Sequence, residues 1–158
     1  MSVPSFPSLP AAGPIRIAVI SDTHDHCPED LPARLSKAHE IWHLGDVCEP
    51  ATLVELEALR IPLRVVRGNN DEHPWPLSLR LVRGGRVFHL EHIAPRRLSP
   101  GAALVLSGHT HVPSDMTDAD GVRWLNPGCI IRPRARVRTF AWLTVGGDGA
   151  VGWELVEL

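Results

Sequence analysis

Five short groups carry the residues that could do chemistry: Asp22-Thr23-His24, Gly45-Asp46, Gly68-Asn69-Asn70-Asp71, His92 and Gly108-His109-Thr110-His111. Their donors are carboxylate and amide oxygens and imidazole nitrogens, a set that suits hard and borderline divalent cations. No cysteine falls inside any group, which argues against a structural zinc site. In Asp-x-His and His-x-His, two side chains of one strand parity can turn toward the same ion. Gly45 and Gly68 let backbone approach such a cluster closely, and Gly108 permits a tight strand exit. Singly, each residue has an ordinary role: Asp22, Asp46 and Asn69 suit turns, and His92 suits packing. Together and in this order they read as a metal site. Of the remaining histidines, His26 and His39 read as surface residues and His43 as a hydrogen-bonded core residue. His73 belongs to a solvated loop, and His89 makes an exposed pair with Glu91.

Buried strands must carry these groups. Ile15 to Ile20 is a β-branched run bounded by Pro14 and Ser21, followed by a helix over Leu31 to His39 with Asp30 as cap. Glu40 to Leu44, a helix over Thr52 to Arg60 and a strand over Leu63 to Arg67 complete a parallel arrangement with right-handed crossovers. Leu79 to Val82 and Val87 to Leu90 form a hairpin about Gly84-Gly85. Strands follow over Ala103 to Ser107, Val112 to Thr117, Val122 to Leu125, Arg138 to Val145 and Val151 to Val156. Four of the five groups directly follow a strand, and the carboxyl ends of strands are where α/β sheets bind ligands.

A chain of 158 residues fits one domain. The first fourteen residues repeat Ser-x-Pro three times and read as a disordered tail over 1–14, with the domain over 15–158. A net charge of −2 argues against a chain built to coat nucleic acid. Three cysteines without C-x-x-C spacing read as reduced thiols. No basic start precedes an apolar run and no segment has the length of a membrane span, so the expected location is cytoplasmic, with no membrane partner.

The motif set resembles the calcineurin-like metallophosphoesterase superfamily. The short length and Asn126-Pro127-Gly128 resemble its small bacterial and archaeal phosphodiesterase branch, related to the retromer subunit Vps29. The resemblance implies an α/β fold, a four-layer αββα sandwich of two mixed sheets with helices outside. It implies one cation on Asp22, His24 and His111, a second on Asn69, His92 and His109, and Asp46 bridging them. The cofactors implied are two divalent ions, manganese first, with iron, nickel or zinc as alternatives. It further implies Asp46, Asn69 and His109 as the catalytic set, with a metal-bridging hydroxide as the in-line nucleophile. Three features depart from the family. Asn70 stands where larger members carry the His that protonates the leaving group. Ile93 replaces the usual Gly. Only sixteen residues separate His92 from His109, which leaves little room for a helix and should leave the metal edge more open.

The expected substrate is a phosphodiester, with nucleotides and oligonucleotides inside that class. Asn70, Arg132 and Arg134 are the expected substrate-binding residues. Arg132, Arg134, Arg136 and Arg138 alternate, either as a cationic rim or as a solvated face. Two other functions stay open: a non-catalytic binding scaffold like Vps29, and a nuclease acting on oligonucleotides. Homo-oligomers are compatible with the sequence.

Overall fold

Ile15–Ile20 forms β1, and its alternating side chains divide between two apolar cores. Ala18 and Ile20 pack with Leu31, Leu35, Leu53 and Leu56 on the helical side. Ile17 and Val19 pack with Phe88, Leu90, Leu104, Leu106 and Leu125, between two sheets. The computed structural model describes residues 13–131 and 137–158. The tail expected over 1–14 therefore lies outside the described residues, apart from Gly13 and Pro14. So do Arg132, Arg134 and Arg136.

Further strands are β2 (Glu40–His43), β3 (Leu63–Val65), β4 (Ser78–Arg83), β5 (Arg86–Glu91), β6 (Leu104–Leu106), β7 (Ser114–Thr117), β8 (Arg123–Asn126), β9 (Thr139–Val145) and β10 (Val151–Glu157). The first sheet has the order β10-β9-β1-β2-β3 and the second β4-β5-β6-β8-β7. Both are mixed, as expected: β1, β2 and β3 run parallel, as do β5, β6 and β8, with antiparallel partners outside them. The register pairs Ile20 with His43 and His43 with Val65, so these three strands end level. Trp42 meets Phe88 edge-on at 5.4 Å between ring centroids, joining the two sheets. Glu40, also buried, accepts from Arg83 at 2.6 and 2.9 Å and from Trp42 at 3.0 Å, so its charge is fully paired.

The helices lie outside the first sheet and are shorter than the periodicity predicts. They are α1 (Leu31–Leu35), a 3₁₀ turn (Pro50–Leu53) and α2 (Val54–Glu57). Past Leu35, the Ser36 hydroxyl bonds back to the Ala33 carbonyl at 2.8 Å, and His39 N–H is drawn onto Arg16 O of β1 at 2.8 Å. Asp30 does not cap α1. Its backbone is already helical, and its carboxylate accepts from Arg34 instead, at 2.7 Å. No described helix covers the outer face of the second sheet, because 93–103 holds Pro95 and Pro100 and forms a loop. Among the described residues no helix is long and apolar enough to cross a membrane.

Candidate active site

Level strand ends bring the loops after β1, β2, β3, β5 and β6 to one edge, where all seven expected ligands meet. Asp22 Oδ1 lies 3.2 Å from His111 Nε2, 3.6 Å from His24 Nε2 and 4.0 Å from His92 Nε2. Asp46 Oδ2 stands between His24 Nε2 at 3.6 Å and His92 Nε2 at 3.4 Å. Asn69 Oδ1 is 3.0 Å from both His92 Nε2 and His109 Nδ1. Two subsets have donor atoms within 4.8 Å of one another: Asp22, His24 and His111, and Asp22, Asp46 and His92.

The Asp22 carboxylate tests whether cations fit here. Its Oδ2 accepts from Ser21 Oγ at 2.6 Å and His109 N–H at 3.1 Å. Its Oδ1 is buried with no hydrogen-bond partner, although three imidazole nitrogens converge on it. An orphaned buried carboxylate oxygen is costly, and a divalent cation is the partner this donor set suits. His92 is oriented for that role. Its Nδ1–H donates to Leu44 O at 2.7 Å, which leaves the Nε2 lone pair facing the cluster. Burial opposes a proton on His92, but Asp46, Asp22 and the Leu44 carbonyl outweigh it and raise its pKa. Asp46 is also partly desolvated, yet His92 and Asn70 hold its pKa well below the carboxylate range.

Five of the seven expected ligands (Asp22, His24, Asp46, His109 and His111) have φ between 42° and 68°. Non-glycine residues there cost about 1–3 kcal/mol each unless their surroundings fix them. Those surroundings are visible. Asp22 N–H donates to Gly45 O and His24 N–H to Asp46 O, both at 3.0 Å, so the first two loops hold each other. Gly68 lies so close to Asp46 that a Cβ there would collide with its carboxylate and its amide nitrogen.

Several positioning groups escaped the sequence reading. Asp71 Oδ2 accepts from Asp46 N–H at 2.9 Å and Gly68 N–H at 2.7 Å, and Oδ1 from Cys48 N–H at 2.7 Å. Its place at the end of Gly-Asn-Asn-Asp was the available signal. Asn126 Nδ2 donates to Gly108 O at 2.9 Å and Thr110 Oγ1 at 3.2 Å, steadying the His109–His111 loop. His43, buried and hydrogen-bonded as expected, accepts from Gly45 N–H through Nδ1 at 3.1 Å. Its Nε2–H therefore donates to Thr23 Oγ1, at 3.0 Å. Burial pushes the His43 pKa down to about 3. Burial pushes the Cys27 and Cys129 thiols up to about 11, so they stay protonated.

Asn70 is turned toward Asp46, donating N–H to Oδ1 at 2.9 Å and Nδ2–H to Oδ2 at 2.8 Å. The expected substrate-binding residues Arg132 and Arg134 lie outside the described residues. His89 corrects an expectation: it does bond Glu91, through Nε2 at 2.8 Å, but it is buried. The 93–103 loop covers it, and Ser99 N–H donates to its Nδ1 at 3.0 Å. His73 stays exposed, resting on Trp75 with ring centroids 4.4 Å apart. Beside Asn69 and His92 opens a cavity of about 460 Å³, walled by Arg67, Leu77, Glu91 and Ile93.

Known proteins share both sequence and architecture with this chain. The sequence profile of the calcineurin-like phosphoesterase superfamily domain matches residues 15–148. A probable metallophosphoesterase of Methanothermobacter thermautotrophicus is 31% identical over 155 residues, covering 84% of this chain and 87% of its own. A solved archaeal phosphodiesterase superposes with a TM-score of 0.78 at 20% identity, covering 91% of this chain and all of its own. Vps29 of Entamoeba histolytica, solved with zinc, gives a TM-score of 0.71 at 21% identity, covering 90% and 99%. The loops that gather the seven expected ligands at one sheet edge thus sit within a shared domain: the chain belongs to the calcineurin-like phosphoesterase superfamily.

Proposed function

We propose that the protein is a dinuclear-metal phosphodiesterase. The observation that carries this reading is the buried, unpartnered Asp22 Oδ1 at the meeting point of His24, His92 and His111. Asp22, His24 and His111 would hold one cation, Asn69, His92 and His109 the other, with Asp46 reaching both. Manganese is our first choice, with iron, nickel or zinc as alternatives. Two such ions supply a hydroxide nucleophile at neutral pH and positive charge for the phosphoryl oxygens. The chain's own part is placement. Asn70 and Asp71 fix Asp46, His43 and Thr23 fix the first two loops, and Asn126 fixes the loop of His109 and His111. A diester is favoured because the archaeal structure with the same fold is described as a phosphodiesterase.

A Vps29-like scaffold is the second reading, on the strength of the structural likeness. A scaffold needs no complete donor set, and this chain has one. Elemental analysis after reconstitution should find up to two divalent ions per chain, and bis(4-nitrophenyl) phosphate should be hydrolysed with added manganese. Less than half an equivalent of metal, or no turnover at full loading, would leave the scaffold.

A further inference from the structure

The cavity beside the donor cluster shares Asn69 and His92 with it and adds Arg67, Leu77, Glu91 and Ile93, which the metal-site reading does not use. Its volume of about 460 Å³ is that of a small-ligand pocket. Leu77 and Ile93 face it while 60% and 49% exposed, so neither is there to fill the core. Two carboxylates line it, Asp71 and Glu91. Asp71 has its oxygens on three backbone amides, which leaves Glu91 as the acceptor for a ligand. Glu91 is held: His89 Nε2–H donates to its Oε2 at 2.8 Å, and Ser99 N–H fixes that tautomer. Ion pairs of the described arginines engage Arg34, Arg83 and Arg123, and Arg67 is in none of them.

Resting on the phosphodiesterase reading, we propose that this cavity seats the unreacted half of the diester and that it selects a guanine nucleoside. The apolar walls of Leu77 and Ile93 suit the faces of a flat base. An ionised carboxylate only accepts hydrogen bonds, and guanine offers it adjacent N1–H and N2–H donors. A guanidinium only donates, and guanine offers it O6 and N7. Adenine presents a donor at N6 where Arg67 requires an acceptor, and lacks the N1–H that Glu91 would take. Pyrimidines offer less surface to the walls.

The test is calorimetric titration of the intact manganese-loaded protein with guanosine, adenosine, cytidine and uridine 5′-monophosphates. Guanosine monophosphate should bind at least about tenfold more tightly than the others, the discrimination that hydrogen bonds to charged groups give. Glu91→Gln should reduce that ratio below about threefold. Arg67→Met, on a separate wall, should remove the same preference, which keeps the test open if the first variant misfolds. A wild-type ratio under tenfold, or one that survives both substitutions, overturns the proposal. Bis(4-nitrophenyl) phosphate separates the two readings. Turnover without base preference defeats the pocket alone, whereas base preference without turnover of any diester defeats the phosphodiesterase reading alone.

Discussion

At the scale of single residues, Asn70 decides what kind of ester can be cleaved. Its side-chain amide is committed to Asp46 Oδ2, and an amide cannot release a proton to a departing alkoxide. General acid help is typically worth about 10²–10⁴ in rate. Under the phosphodiesterase reading, the rate should therefore depend steeply on leaving-group pKa, with aryl diesters far ahead of alkyl ones. A series of both, assayed at saturating manganese, measures the slope, and a shallow one would mean that another acid serves. Asn70→His should not flatten the slope. Asp71, the neighbour that could orient a new imidazole, already has its oxygens on three amides.

At the scale of elements, Asp71 ties the loop after β3 to the loop after β2. Replacing it with Asn removes the charge and one acceptor oxygen, leaving a backbone amide of the Asp46 loop unpaired. Second-sphere losses of this kind typically lower metal affinity about 10–100-fold. We expect Asp71→Asn to fall in that range, and competition with a chromophoric chelator measures it. Wild-type affinity would show that the clamp does not position Asp46. The strands that bear the loops were legible because short apolar runs end at polar or glycine residues. Ile15–Ile20 occupies the expected positions, and β5 extends the expected Val87 to Leu90 by one residue at each end. The groups that the structure gathers at one edge were legible because their types recur in motif order. The clamps were not. Nothing local says that Asp71 answers Cys48, or that Asn126 answers Gly108 across the sheet. Strand parity paired His89 with Glu91 correctly, but parity cannot say which face a later loop will cover. The helices were overextended because periodicity cannot show that backbone groups past Leu35 find partners in β1.

At the scale of the whole molecule, His43 ties stability to pH. Its ordinary pKa near 6.5 is pushed down to about 3 in the fold. The unfolded chain therefore takes up a proton below about pH 6.5 that the native state refuses until about pH 3. Its contribution is complete above pH 6.5 and is lost as pH falls, by up to about 1.4 kcal/mol per pH unit. Urea unfolding across this range should show a shallower loss in His43→Gln, and parallel curves would contradict the assignment. The sheet order has a consequence for how the chain is made. β1 is completed at Ile20, yet its antiparallel neighbour β9 begins only at Thr139. A ribosome adding about 5–20 residues per second needs roughly 6–25 s to make the intervening 118 residues (21–138). Every expected metal ligand, from Asp22 to His111, has been synthesised before β9 exists. Through that interval β1 offers an open edge to any neighbouring strand, so the hazard of misassembly is greatest on the ribosome and ends when β9 docks.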